Sequence, residues 1–176
     1  MRQSEIRVRA QLHTGAPIDQ THALMFSNEC LIALSNLYES VCRKKKDVLE
    51  NVVANEEVLL PDDCFQLIRV RRNGETYTDY ELYGQGVFME DNGNYQIEYL
   101  KEPDPIDVET STPDVPSAFH PSIALFVAAR EKFRLFGEED VDSIRLMREF
   151  AETAQMADLR TRKHGRKRVI KPNEWR

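Results

Sequence analysis

The stretch FQLIRVRRNGETYTDYELY, residues 65–83, decides the fold class of this chain. Residues 65–70 alternate with period two, as the side chains of a β-strand do. Arg72-Asn73-Gly74 follows, and Asn-Gly is a strong hairpin signal because both residues tolerate positive φ at low cost. Residues 76–83 then supply a partner strand. The stretch therefore predicts an antiparallel β-hairpin.

Further strands on both sides extend this hairpin into a β-module over about residues 47–100. On the N-terminal side, residues 48–53 and 57–60 read as strands around a polar turn. On the C-terminal side, residues 87–89 and 95–100 predict a second hairpin, since Tyr95, Ile97 and Tyr99 would share one face. We expect Asn73-Gly74 and Asp91–Asn94 to be exposed hairpin tips.

Helical patterns flank the β-module. Apolar residues recur at three- and four-residue spacing in four segments, which predicts helices over about 4–13, 27–44, 121–136 and 138–160. Ser27 is a good N-cap for the second of these helices. The basic run Arg43–Lys46 is interpreted as cations at its C-terminus rather than as a nucleic-acid patch. Pro121 and Gly137 mark the ends of the third helix.

A proline-rich segment, residues 101–119, joins the β-module to the last two helices. Its four prolines forbid a helix and disfavour a strand. We expect an extended connector on the surface and no domain boundary, so that residues 1–160 form a single domain. The predicted fold class is α+β: a small helical bundle with an inserted antiparallel β-hairpin module.

Charge is distributed unevenly along the chain, whose formal net charge is −6. Residues 161–176 carry seven Lys/Arg and one acid, whereas the other 160 residues carry 17 basic and 29 acidic groups. The segment predicts an extended basic C-terminal arm that docks on a partner, because Arg and Trp are enriched at binding hot spots; a solvated, disordered end is the alternative. The residues that we expect to make this contact are Arg162, Lys163, Arg166, Lys167, Arg168, Val169, Ile170, Lys171 and Trp175.

No sequence pattern indicates catalysis, a metal site or a cofactor. The chain has neither a glycine-rich phosphate loop nor a Gly-x-Ser-x-Gly elbow, and its four histidines lie far apart in sequence. Asp62-Asp63 follow Pro61, where acids more often accept local hydrogen bonds than take part in catalysis. We therefore expect a protein that is not an enzyme and needs no cofactor.

Cysteine usage and hydropathy address the compartment. The three cysteines have no metal-type spacing and predict free, buried thiols in a reducing compartment. Met1–Ala10 is charged, with no apolar signal-peptide core behind it. The longest strongly apolar run, Ala124–Ala129, is too short to span a membrane. We expect a protein that is not exported and has no membrane partner.

Three stretches carry a resemblance to a known family. They are Phe26–Glu29 leading into Leu31–Tyr38, the Leu-Pro-turn-strand passage Leu59–Val70, and Val115–Pro121 followed by Ile123–Arg130. In their order and spacing they resemble the head-to-tail adaptor proteins of tailed bacteriophages, including the tail-tubular proteins that sit below the portal. With the final helix, the likeness spans most of residues 4–160.

The resemblance implies a structural virion protein at the head–tail junction, synthesised in the host cytoplasm. It implies a ring of twelve subunits around a channel through which DNA passes without sequence-specific binding. The expected partners are the portal protein, the neighbouring subunits and a downstream tail or tail-completion protein. The basic arm does not match the family pattern; from its charge and apolar residues we expect it to anchor the subunit to the portal.

The alternative function is a nucleic-acid-binding module that uses the basic C-terminal tail. It predicts a basic surface on the folded part as well, and the acidic balance of the other 160 residues argues against that.

Overall fold

The computed structural model describes residues 1–137 and 139–165 and confirms the α+β class, with antiparallel sheets inserted between N-terminal and C-terminal helices. The chain divides into two compact units. The helical unit contains residues 1–41 and the chain from Pro103 onward, and the β unit is Cys42–Glu102. Each unit has its own buried apolar cluster. Residues 1–160, which the sequence predicts to be one domain, therefore fall into two compact units. The helical pattern and the alternating pattern each bury their apolar face against elements of the same kind.

The helical unit is built from α1 (Gln3–Thr14), α2 (Gln20–Leu37), α3 (His120–Phe136) and α4 (Val141–Gly165). Short 3-10 turns at Glu39–Val41 and Ser117–Phe119 complete it. Each helix turns one apolar stripe inward. Large side chains of this core include Ile6, Phe26, Leu34, Phe119, Ile123, Phe126, Leu146 and Phe150.

The first and third helices lie where the sequence predicts them. Pro121 occupies the first turn of α3, where its missing N–H costs nothing. Gly137 ends α3 at φ 89°, a conformation that other residues rarely adopt. The prediction that Gly137 stops this helix is therefore confirmed.

The predicted second helix, 27–44, is shifted, because α2 runs over Gln20–Leu37. Asp19 is the N-cap, and its carboxylate accepts a hydrogen bond from the Thr21 backbone N–H at 2.8 Å. Ser27 therefore lies inside the helix, buried, where its hydroxyl oxygen accepts a hydrogen bond from the Gln3 side chain at 2.8 Å. The basic run Arg43–Lys46 does not close a helix; it begins a strand.

The predicted fourth helix, 138–160, is also displaced. The carboxylate of Asp140 accepts a hydrogen bond from the Ser143 backbone N–H at 2.7 Å, so Asp140 caps the helix and α4 begins at Val141. The predicted helix ends at residue 160 and α4 at Gly165, because the apolar stripe used for the prediction ends before the helix does. Arg162 pairs with Asp158 one turn earlier at 2.9 Å, which supports the helix beyond Arg160.

Backbone and side-chain hydrogen bonds hold the proline-rich connector, residues 101–119, against α1 and α2 of the helical unit. The Asn28 side chain accepts from the Ile106 N–H at 2.7 Å and donates to the Ile106 carbonyl at 3.1 Å. The N–H groups of Gln3 and Ser4 have no acceptor within α1 because they lie in its first turn. They donate instead to the connector carbonyls of Ser111 and Glu109.

Most of the connector is free of helix and strand, as predicted, but it ends in the 3-10 turn Ser117–Phe119. It also does not lie only on the surface, because Ile106 and Val115 are buried in the helical core.

Seven strands form two antiparallel sheets in the β unit. Sheet A has the order β1-β7-β3-β4, and sheet B has the order β2-β6-β5. Sheet A consists of β1 (Arg43–Val52), β7 (Gly93–Lys101), β3 (Cys64–Arg72) and β4 (Glu75–Tyr77). Sheet B consists of β2 (Glu57–Leu59), β6 (Gly86–Met89) and β5 (Tyr80–Tyr83).

Two predicted strand arrangements are wrong. The predicted strand 76–83 is broken at Thr78-Asp79, and the chain passes there from sheet A to sheet B. The predicted second hairpin does not form, because β6 pairs with β2 and β5 whereas β7 pairs with β1 and β3. Asp91–Asn94 is therefore not a hairpin tip, because Asp91 and Asn92 link the two sheets and Gly93 and Asn94 begin β7. The Asn92 and Asn94 side chains accept hydrogen bonds from backbone N–H groups near the end of β1.

The interior strand β7 supplies three of the nine described residues that are buried in the β core. Tyr95, Ile97 and Tyr99 are fully buried on one face, as their alternation predicts. Leu49 and Val70 from the flanking strands and Tyr77 from β4 pack in the same core, with the Tyr77 and Tyr95 rings 4.9 Å apart. The core thus depends on residues that are distant in sequence from β7.

The first hairpin forms as predicted, and its turn provides a test. Asn73 and Gly74 are exposed with φ of 53° and 86°. Replacing Gly74 with Val should lower the free energy of unfolding by about 1 kcal/mol or more, because a β-branched residue resists positive φ. Urea unfolding measures this change. Gly74→Asn is the matched control, since Asn tolerates this region, and equal effects of the two variants would contradict the explanation.

The hydrogen bonds between Asn28 and Ile106 provide a second test. Asn28→Ala leaves the Ile106 N–H and C=O without their partner and should lower the free energy of unfolding by about 1–3 kcal/mol. Asn36→Ala, at an exposed position on the same helix, is the control and should change it little. A loss for Asn28→Ala no larger than that for Asn36→Ala would show that this contact does not hold the connector.

Candidate interaction surfaces

The predicted docking arm is only partly within the described residues. Arg162 and Lys163 lie in the last turn of α4, so the arm does not begin at residue 161. The Arg162 guanidinium is paired with Asp158 of its own helix, which makes a structural role the simpler interpretation for this residue. The remaining predicted contact residues lie outside the described residues: Arg166, Lys167, Arg168, Val169, Ile170, Lys171 and Trp175.

Two of the three family-like stretches meet in the helical unit. Glu29 on α2 accepts a hydrogen bond from Arg130 Nε on α3 at 3.0 Å. The Arg130 guanidinium also lies over the rings of Phe26 and Phe133, at 5.6 and 5.4 Å from their centroids. The first and third stretches are therefore joined by one side chain.

The remaining stretch, Leu59–Val70, contains a polar cluster around Asp63 in the β unit. Asp63 accepts hydrogen bonds from the Tyr99 hydroxyl at 2.8 Å and from Lys45 Nζ at 3.0 Å. Partial burial opposes ionisation of Asp63, but these two hydrogen bonds outweigh it, and the pKa of the carboxyl lies below its ordinary value. The hydrogen bond to Asp63 raises the pKa of Lys45 to about 12.

Asp62-Asp63 is thus an unequal pair. Asp62 is exposed, while Asp63 ties β1 to β7 through partners 18 and 36 residues away. Asp63 accepts hydrogen bonds, as predicted for an acid in this turn, but its side-chain partners are distant rather than local.

Large apolar side chains are exposed at separate places on both units. On the helical unit they include Leu12 on α1, 80% exposed, and Val141 at the start of α4, 79% exposed. On the β unit, Leu82 and Tyr83 project from β5, and Tyr83 is 78% exposed. Single exposed apolar groups are normal on a protein surface; a contact with another protein is indicated only where such groups adjoin, as Leu82 and Tyr83 do on β5.

A cluster of basic side chains lies on the face of sheet A opposite its buried tyrosines. The register places Lys46 and Arg69 on either side of Glu98, and it places Lys44 and Arg71 further along on the same face. We call Lys44, Lys46, Arg69 and Arg71 the cationic face. Lys46 Nζ lies 3.1 Å from Glu98 Oε1, and Arg71 Nη2 lies 4.0 Å from it.

Sequence reasoning missed the cationic face because Lys44 and Lys46 were assigned to a helix. The signal was present in residues 44–49, where Lys44, Lys46 and Val48 alternate with Lys45, Asp47 and Leu49. A strand assignment places the first three on one face and the second three on the other. Arg69 and Arg71 then join them only through pairing with β7.

A groove of about 540 Å³ lies beside this sheet in the β unit. The start of β3 and the turn before it line one part, and the β5–β6 turn lines another. Asp62 and Glu102 are its ionisable lining residues apart from Cys64. No group of three or more His, Cys, Asp or Glu side chains among the described residues has the arrangement of a metal site.

The burial of the three cysteines and the polarity of the helices can be compared with the expectations from sequence. Cys30 is buried, as predicted, whereas Cys42 and Cys64 are half-buried. Burial raises the pKa of the Cys30 thiol well above its ordinary value. Within residues 1–137 and 139–165, every helix is too short or too polar to cross a bilayer.

The Asp63 cluster predicts a pH-dependent contribution to stability. Because the pKa of Asp63 is depressed in the folded state, its contribution is present above the ordinary pKa of 3.8 and is lost as the pH falls through the folded value. Asp63→Asn should lower the free energy of unfolding by about 1 kcal/mol at pH 7, and the difference from the natural chain should shrink below pH 4.

Urea unfolding at pH 7 and pH 3 measures both quantities. Asp62→Asn, the exposed neighbour, is the control and should change neither. An Asp63→Asn deficit of the same size at both pH values would contradict the linkage.

Comparisons with known proteins do not assign a family. No protein-family model matches the chain, and a search of curated proteins likewise finds no match.

Proposed function

We propose that this protein is a structural subunit of a tailed bacteriophage, an adaptor that joins the capsid portal to the tail and lines the passage for DNA. The observation that carries the proposal is the order of the three family-like stretches in a helical unit interrupted by a β insertion. Two of these stretches meet through Arg130, so they form one packed region in space.

The surface is suited to multiple protein contacts. Exposed apolar side chains occur on α1, at the α3–α4 corner and on β5. A ring subunit needs at least two different contact surfaces, because a closed ring is built from head-to-tail interfaces. It needs further surfaces for the portal above and the tail below. Structural assembly, without catalysis or a cofactor, accounts for all of these features.

Negative-stain images of the protein mixed with its cognate portal test the proposal. We expect a ring of twelve copies attached to the portal. Images of the protein alone are less decisive, because adaptors can remain monomeric until a portal templates them. Absence of any portal-bound density at micromolar concentrations of both proteins would overturn the proposal.

The basic arm has a separate test. Since α4 extends to Gly165, the deletion should remove residues 166–176 only. We expect the shortened chain to keep its thermal unfolding temperature and to lose attachment to portal-bearing heads, because the arm's cations and apolar anchors are removed while both cores are kept. Differential scanning calorimetry and a head-pelleting assay measure the two effects.

Two matched variants separate the contributions within the arm. Changing Arg166, Lys167 and Arg168 to Gln removes charge, and changing Val169, Ile170 and Trp175 to Ser removes apolar anchors. Loss of attachment with the first set, largest at low salt and smaller at high salt where the contact of the natural chain is itself screened, indicates an electrostatic contact. Normal attachment by the full deletion would show that the arm is not the anchor.

A nucleic-acid-binding module that uses the basic tail is the second candidate function. The presence of a cationic face on the folded part favours it, because the sequence-based argument against this function was that the folded part would lack such a surface. Duplex-DNA affinity that falls steeply with salt and is lost with residues 166–176 would support it.

A further inference from the structure

The proposed adaptor function makes no use of the cationic face. This face brings together four basic side chains from β1 and β3, which are neighbours neither in sequence nor in the sheet. Since β7 separates β1 from β3, Lys46 and Arg69 lie about 10 Å apart across the sheet, and positions two residues apart on one strand are about 7 Å apart. The bases therefore form a flat array.

Charge on this face is in excess of what its own partners neutralise. Glu98 is the acid that the strand register places among the four bases. The Lys46 ammonium, helped by Arg71 and Arg69, holds the pKa of Glu98 below its ordinary value, so this carboxylate is ionised at neutral pH. Four cations surround one carboxylate, so this part of the face has a local excess of positive charge on a chain whose total is −6.

The bases also retain donors for a ligand. Lys44 and Arg69 are exposed, and the Lys46 side chain keeps 62% of its surface exposed. The Arg71 side chain keeps 32% of its surface exposed, although its Nε atom is buried. Arginine donors of this kind match phosphate oxygens in geometry as well as charge.

The chemistry of the face favours phosphate over a protein partner. The centre of a protein interface is usually apolar and depleted in charge. Here the centre is charged, the polar side chains of Gln96 and Thr76 adjoin it, and the apolar Val48 and buried Leu100 lie at its margins.

The register of the described strands places no aromatic residue on this face, and Tyr77 and Tyr80 lie near Arg69 only at its β4 edge. The flat array of cations fits the regularly spaced phosphates of a duplex.

We propose that the cationic face binds the phosphate backbone of duplex DNA without regard to base sequence. Duplex DNA carries one charge per about 1.7 Å of its axis, so several phosphates can reach basic side chains that are spaced about 7–10 Å apart. The inference is independent of the adaptor ring and of the basic tail, because it rests on β1, β3 and β7 alone.

Fluorescence anisotropy of a labelled 25-base-pair duplex with the full chain tests this inference between 50 and 200 mM KCl. Three to four phosphate contacts predict a loss of affinity of roughly 40- to 150-fold over this range. Two duplexes of unrelated sequence should bind equally. The variant R69Q/R71Q should bind several-fold more weakly and lower the slope of log affinity against log salt by about 2.

Glu98→Gln provides a change of the opposite sign. Removing the Glu98 carboxylate should raise the affinity for the duplex. It should also increase the slope of log affinity against log salt by about 1, the value expected for one further phosphate contact. A folding defect cannot produce tighter binding, so this variant keeps the test informative if R69Q/R71Q is unstable.

R148Q/R160Q is the matched control, because it removes two exposed cations from α4 and changes the net charge equally. It should leave the affinity and the salt slope close to those of the natural chain. The R69Q/R71Q effect should also persist in a full chain whose Arg166, Lys167 and Arg168 are changed to Gln, which separates the face from the tail.

Three outcomes would overturn the proposal. The first is no duplex binding by the full chain at 50 mM KCl. The second is an equal loss for R69Q/R71Q and R148Q/R160Q, which would indicate a net-charge effect. The third is binding of a polyglutamate peptide as tight as that of the duplex and equally sensitive to R69Q/R71Q, which would assign the face to an acidic protein.

Discussion

The helical unit depends on one closure, the pair of hydrogen bonds between the Asn28 side chain and the backbone of Ile106. The core of this unit uses residues from both sides of the β insertion, so the returning chain must be brought back onto α2 before α3 and α4 can pack. Closing a loop of 78 residues costs entropy, and specific contacts must offset that cost. Further bonds from the start of α1 to the connector carbonyls act in the same place, so the first turn of α1 and the connector satisfy each other's backbone groups.

In the β unit the corresponding constraint is the position of β7 between β1 and β3. One face of β7 carries the tyrosines and the isoleucine of the core, and the other face carries Glu98 among the bases. The same pairing that buries the core therefore assembles the cationic face. On the buried side, Asp63 reaches Tyr99 and Lys45, so the edge strand β1 is held by an ion pair as well as by its ladder. Lysines on an edge strand also discourage pairing with further strands, so part of this basic run can serve solubility.

Adaptor function and DNA binding by the cationic face are compatible but separate proposals. The first rests on the order of sequence stretches and on a surface with several exposed apolar groups. The second rests on charge placed by strand register. An acidic chain with one basic face can repel DNA over most of its surface and hold it at one place, because phosphate affinity follows local cations rather than net charge.

The sequence by itself determined the α+β class, the end of α3 at Gly137, the Asn73-Gly74 turn and the buried face of β7, because each depends on local periodicity or on one residue's backbone preference. Tertiary structure decided the rest. Ser27 reads as a cap but is buried inside α2, where Gln3 of another helix satisfies it. Residues 43–46 read as the end of a helix, yet they are β1 because β7 offers them a ladder. The cationic face could not be found by local reasoning, since Arg69 and Arg71 meet the lysines only through the register of a strand between them. Register is set by long-range pairing, and a local pattern carries no record of it.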